Sequence, residues 1–104
     1  MKDTINIDEY LVEKKDNSYM LTVDGNSMID AHIADGDMVL VEKTNVAKDG
    51  QIVIADVDGE FTMKYFKMKN GKTWLEPANK DFKPIYPTMY LNIIAVVKAV
   101  IRKY

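Results

Sequence analysis

Two side chains carry the chemistry this sequence could perform. Ser27 follows a glycine in the polar turn Gly25-Asn26-Ser27, and Lys64 interrupts the β-rich stretch Val57 to Phe66. A serine hydroxyl becomes a useful nucleophile only when a base takes its proton, and a desolvated lysine amine can be that base. Burial disfavours the ammonium, so a lysine flanked by core can accept a proton near neutral pH. The residue types are those of a Ser-Lys peptidase dyad. Plainer readings fit the same residues. Gly-x-Ser-Met also suits an ordinary strand-to-strand loop, and Lys64 could carry its amine to solvent from a strand edge. His32 is a second candidate base, since imidazole is the usual partner of a serine, but it shares the loop with Ser27 and has no evident orienting acid.

The remaining polar residues of that loop, Asp30, Asp35 and Asp37 around Gly36, invite a metal reading. Their spacing lacks the ligand pattern and terminal glutamate of a calcium-binding EF-hand loop. Asp35-Gly36-Asp37 reads as a turn, and neither a metal nor another cofactor is expected.

Strands must position these groups. Tyr19 to Val23, Met38 to Val41, Gln51 to Val57, Glu60 to Met68, Lys72 to Leu75 and Leu91 to Ile101 read as β-strands from their apolar runs and alternation. Asp58-Gly59 and Asn70-Gly71 between such runs are hairpin signals, because both turn residues must tolerate positive φ. Alternation puts Phe61, Met63 and Tyr65 on one face and Thr62, Lys64 and Phe66 on the other. Both faces carry large apolar groups, which favours burial of Lys64. Pro77, Pro84 and Pro87 confine residues 77–88 to an irregular connection. Residues 1–17 read as an amino-terminal arm, with Ile5, Ile7, Tyr10, Leu11 and Val12 suggesting a turn of helix or a strand. Residues 18–104 then form one mostly β domain with helix only in short pieces.

Composition removes several function classes. A chain of 104 residues buries one core, and the absence of cysteine excludes disulfides, thiolate metal sites and cysteine nucleophiles. No apolar run approaches a membrane span, and no signal sequence is evident, so a cytoplasmic location without membrane attachment is expected. Fourteen basic residues are scattered among 16 acidic ones, for a net charge of −2. The densest basic group, Lys64, Lys67, Lys69 and Lys72, lies near one hairpin and reads as a solvated surface. Direct DNA binding, which draws on a basic face, is not expected.

With these residues in view, GNSMIDAHIADGDMVLV resembles the nucleophile segment, and VDGEFTMKYF the lysine strand, of the LexA/UmuD family of self-cleaving Ser-Lys proteins of the SOS response. The motifs come in the family's order, and the likeness runs over roughly residues 18–103, nearly the whole domain. The phrases SMIDxxIxDGD and VDGEFTxK, a Pro-containing loop and a VVKAV-like last strand look nearest to the UmuD branch. Bacterial signal peptidases share the Ser-Met and strand-lysine pattern but carry membrane anchors.

The resemblance implies the twisted, signal-peptidase-like β-sheets of the family's carboxy-terminal domain. It also implies Ser27 as nucleophile, Lys64 as general base, and backbone amides near Asn26 and Ser27 as the oxyanion hole, with Met28 a packing position. As partners it implies a second copy of the chain, a RecA–single-stranded-DNA filament as co-protease, and a UmuC-type translesion polymerase served by the processed form. The alternative within the family is the cleavage and dimerisation domain of a LexA-like or phage repressor. A β-rich interaction module with an inactive site is a third reading. Two departures lie in the loop: Asn26 replaces the more usual Asp- or Met-type residue, and Ala31-His32 stand where small glycines often occur. A third is more consequential. Family members cut an Ala-Gly or Cys-Gly bond upstream of the serine, and residues 1–24 contain no glycine. The expectation is a chain resembling the product of self-cleavage, able to act only in trans.

Overall fold

The apolar runs become strands, and seven of them join into one sheet whose neighbours are all antiparallel. The computed structural model describes residues 3–6, 17–87 and 91–102. In chain order the strands are β1 (Asp3–Asn6), β2 (Ser18–Gly25), β3 (Met38–Lys43), β4 (Ile52–Val57), β5 (Glu60–Lys69), β6 (Lys72–Glu76) and β7 (Leu91–Ile101). Across the sheet they run β1-β2-β3-β7-β4-β5-β6. A single 3-10 turn, Ile29–Ala31, is the helical piece among the described residues. The mostly β expectation holds, and all six strands read from the sequence are present. Within the arm, Asp3–Asn6 pairs with Thr22–Gly25 as an edge strand. Ile7, Tyr10, Leu11 and Val12 lie outside the described residues.

Both hairpin signals are real turns. Asp58 and Gly59 have φ of 50° and 96°, and Asn70 and Gly71 have 52° and 77°. Two successive positive φ values give the turn twist that matches paired strands. The first of these turns sets the register of β4 on β5, placing Val53 opposite Lys64 and Ala55 opposite Thr62.

Strand β7 explains how the sheet coils. Against β3 its register slips so that Lys98 is the extra residue, between Ala99 opposite Leu40 and Val97 opposite Val41. Against β4 it slips again at Ile94, between Ala95 opposite Ile54 and Ile93 opposite Ala55. Each bulge bends the strand and raises its twist, and β7 lies mid-sheet, so the curl passes to both sides. The edge strand β1 consequently packs near β5. Groups leaving the end of β2 can therefore meet β5, although β3, β7 and β4 separate the two in the sheet.

Two apolar clusters form the core. The larger joins Leu21, Val23, Met28, Ile33, Val39, Val41, Ile54, Met63 and Ala95. The smaller joins Val53, Ala55, Phe66, Leu75 and Val96. Met63 and Phe66 of β5 fall in different clusters, as the alternation of the strand requires.

Candidate active site

Gly25 ends β2 with φ of 125°, a region that side chains avoid, and there the chain leaves the sheet. The loop that follows, residues 26–37, is tied down by its own polar side chains. Gly25 N–H donates to Asp35 Oδ1 at 2.8 Å, Asp35 N–H to Asn26 Oδ1 at 3.2 Å, and Ala34 N–H to Asp37 Oδ2 at 2.8 Å. Its apolar residues Met28 and Ile33 are each 1% exposed and anchor it to the larger cluster. Met28 is thus a packing residue, as expected. These bonds give Asp35 and Asp37 a structural use.

Asp37 has a second partner. Arg102, just past β7, donates from Nε to Asp37 Oδ1 at 2.9 Å and from Nη2 to Oδ2 at 2.8 Å. Nη2 also reaches the carbonyl oxygen of His32 at 3.3 Å. The Arg102 hydrogen bonds hold the Asp37 carboxyl below its ordinary pKa, against the opposing effect of burial, with the Ala34 N–H and the guanidinium charge helping.

From β5, Lys64 meets this loop. Its Nζ lies 3.1 Å from Ser27 Oγ, 3.2 Å from the Met63 carbonyl oxygen and 2.5 Å from Thr62 Oγ1. Lys64 is 1% exposed and is the largest fully buried side chain among the described residues. The strand-edge reading, with the amine in water, is therefore wrong. Opposite it stands Val53, fully buried, and Phe66 follows on the same face. These three oxygen partners are uncharged, and Val53 and Phe66 flank the side chain. Ser27 is also buried. His32 takes a left-handed conformation at the end of the 3-10 turn, with φ of 63°, and its side chain is exposed. Of the two, it is Lys64 whose side chain reaches the Ser27 hydroxyl.

Two contributors escaped the sequence reading. Alternation places Thr62 on the Lys64 face, but its hydrogen bond with Nζ is not announced by that pattern. The other is the connection after β6, which was read only as irregular. Ala78 N–H donates to the Ser27 carbonyl at 2.8 Å, and Asp30 N–H to the Ala78 carbonyl at 2.7 Å. Asn79 Nδ2 donates to the Asn26 carbonyl at 2.8 Å. No local pattern announces contacts spanning some fifty residues of sequence. Among the described residues, the N–H groups of Asn26 and Ser27 meet no protein acceptor.

A coiled antiparallel sheet that buries a lysine against a loop serine brings together the two groups that nucleophilic chemistry by a serine needs. The chain belongs to the Peptidase S24-like family, which it matches over residues 1–98. It is 37% identical over 105 residues to the LexA repressor of Clostridium novyi, an alignment covering all of this chain and 52% of that protein. It is 46% identical over 85 residues to the LexA repressor of Leifsonia xyli, covering 79% of this chain and 38% of the relative. The LexA repressor of Mycobacteroides abscessus is 49% identical over 85 residues, covering 82% and 38% respectively. The chain thus spans about half or less of these relatives. These relatives are LexA repressors, so the LexA/UmuD family is supported and the UmuD branch in particular is not shown. No helix among the described residues is long and apolar enough to cross a membrane.

Proposed function

We propose that this chain is the cleavage and dimerisation domain of a LexA-like repressor, a Ser-Lys peptidase that cuts a peptide bond between small residues in its own parent or in a relative. The observation that carries the reading is the 3.1 Å contact between the buried Lys64 amine and the Ser27 hydroxyl. In the neutral form the Lys64 amine takes the Ser27 proton as Oγ attacks the scissile carbonyl. The oxyanion that forms is met by backbone N–H groups near Asn26 and Ser27. As the tetrahedral intermediate collapses, the C–N bond breaks and the Lys64 ammonium returns the proton to the leaving amine. A water molecule, deprotonated by Lys64, then attacks the acyl carbonyl; the ester C–O bond breaks and the Lys64 ammonium returns that proton to Ser27 Oγ. Thr62 and the Met63 carbonyl hold Nζ on the serine throughout.

The LexA relatives favour a repressor parent over a polymerase accessory role, so the UmuC-type partner recedes. Two other partners stay with the reading. A RecA–single-stranded-DNA filament would favour the cleavable conformation. A second copy would dock on the end of β7, where Val100 and Ile101 are 41% and 44% exposed. The test is cleavage in trans of a LexA-like protein that keeps its Ala-Gly bond but has its own serine replaced. Wild type is expected to cut it, and Ser27→Ala and Lys64→Ala are expected not to. Undiminished cutting by Lys64→Ala would overturn the dyad.

A further inference from the structure

We infer that Asn79 is a positioning residue for this chemistry, and that it works by aiming the Ser27 N–H at the developing oxyanion. The inference rests on the proposed peptidase reading. In a trans peptide the C=O and the following N–H point in opposite directions, and the described backbone holds no cis bond. Whatever grips the Asn26 carbonyl therefore fixes the direction of the Ser27 N–H. Two donors grip it, Asn79 Nδ2 at 2.8 Å and, at a longer 3.2 Å, the Ile29 N–H of the loop's own turn, so Asn79 supplies the shorter hold and the one that comes from outside the loop. The next peptide is held as well, because Ala78 N–H donates to the Ser27 carbonyl at 2.8 Å. Ser27 thus sits between two peptide planes, both pinned by consecutive residues of a connection far away in sequence.

The orientation of the Asn79 amide is itself determined. Its Oδ1 accepts the N–H of Asp81 at 2.9 Å, which leaves Nδ2 to face Asn26. A side chain that bonds its own loop at one end and the nucleophile loop at the other transmits the shape of the first to the second. The Ser27 N–H meets no protein acceptor among the described residues, as an oxyanion donor must not before substrate arrives. No hydrogen bond of Asn79 reaches Lys64, Thr62 or the Ser27 hydroxyl. Its effect should therefore fall on oxyanion stabilisation and leave the base alone.

That separation supplies the test. Trans cleavage is measured against pH for wild type, Asn79→Ala and Asn79→Asp, with thermal unfolding of each. Asn79→Asp keeps the Oδ1 acceptor and loses the donor. Both variants are expected to lower the alkaline plateau roughly 10- to 100-fold, a part of what deleting an oxyanion donor costs. The pH at half-plateau should stay where wild type has it, and the variants should remain folded at the assay temperature. A plateau equal to wild type in either variant overturns the inference. So does a displaced half-plateau pH with the plateau recovered, which would mean that Asn79 acts on Lys64. If a variant unfolds at the assay temperature, the other one, or the assay repeated at a lower temperature, decides. Ser27→Ala separates the two readings: if it cuts like wild type, the peptidase reading fails. If it is dead while Asn79→Asp cuts normally, only the role of Asn79 fails.

Discussion

Strand β5 carries lysines in two opposite settings. Its first half, Thr62 to Phe66, is buried on the Lys64 face between β4 and the nucleophile loop. Its second half, Lys67 to Lys69, continues into the turn and Lys72 at the outer end of the β5–β6 hairpin, where Lys69 and Lys72 are exposed. Lys67 is half-buried, its amine 5.8 Å from the centre of the Tyr65 ring. The amines are chemically identical, and what differs is the surrounding medium. Water surrounds the amines at the outer end, whereas Lys64 is 1% exposed and hydrogen-bonds Ser27 and Thr62 inside the protein. What distinguishes the lysines of this strand is thus burial rather than residue type.

Exchanging each amine for a thioether of similar length should break the comparison most sharply. Lys64→Met is expected to reduce trans cleavage by roughly 10³-fold or more, as loss of a base does when serine and base act as a unit. Lys69→Met should leave the rate within about twofold. Comparable losses in both variants would mean that the lysines act through overall charge instead. Packing should divide along the same line. Phe66→Ala, emptying a position that is 5% exposed, is expected to cost about 3–5 kcal/mol in a denaturant titration. Met68→Ala, two residues on and 44% exposed, should cost under about 0.5 kcal/mol. A Phe66→Ala cost below about 1 kcal/mol would show that the walls around Lys64 are not packed as described.

The medium also makes a kinetic statement. If the neutral amine is the active form, cleavage should climb about tenfold per pH unit while Lys64 is mostly protonated, then level off. A rate independent of pH from neutrality to about pH 10 would remove lysine as the base. Replacing Val53, which faces Lys64, with threonine brings a hydroxyl to the wall. The plateau should then be reached at a higher pH, because the ammonium is better solvated.

What the sequence discloses here depends on the range of the cause. Strands, both positive-φ turns and the face of Lys64 follow from neighbours within a few residues, and all were legible. The Ser27–Lys64 pairing was suggested by residue type, but alternation left the lysine amine free to be wet or dry. Only the coil of the sheet, produced by bulges at Ile94 and Lys98, decides between these. Neither bulge carries a glycine or other local marker, since a register slip is a property of two strands at once. The roles of Asn79 and Arg102 were invisible for the same reason. Each is an ordinary polar residue whose partners are brought to it by the fold. The preference for a UmuD branch came from short phrases, and identity over the length of the domain favours LexA repressors.

A smaller effect than those at Lys64 and Phe66 is expected on the far side of the nucleophile loop, where Arg102 meets Asp37. Here a buried carboxylate is met by a guanidinium at the protein surface, whereas Lys64 is enclosed within the protein. The side chain of Asp37 is 5% exposed and that of Arg102 is 44% exposed, so solvent screens part of the attraction. Arg102→Met, which keeps much of the stem, is expected to cost about 1–2 kcal/mol near neutral pH. The folded carboxyl has a pKa below its ordinary value, so its contribution is complete above about pH 4 and is lost as the pH falls through the depressed value. The difference in stability between wild type and Arg102→Met should therefore shrink on acidification. Denaturant titrations at neutral pH and at about pH 2.5 would read it. A difference that stays constant over that range would show that Arg102 acts by packing or through the His32 carbonyl instead of through the Asp37 charge.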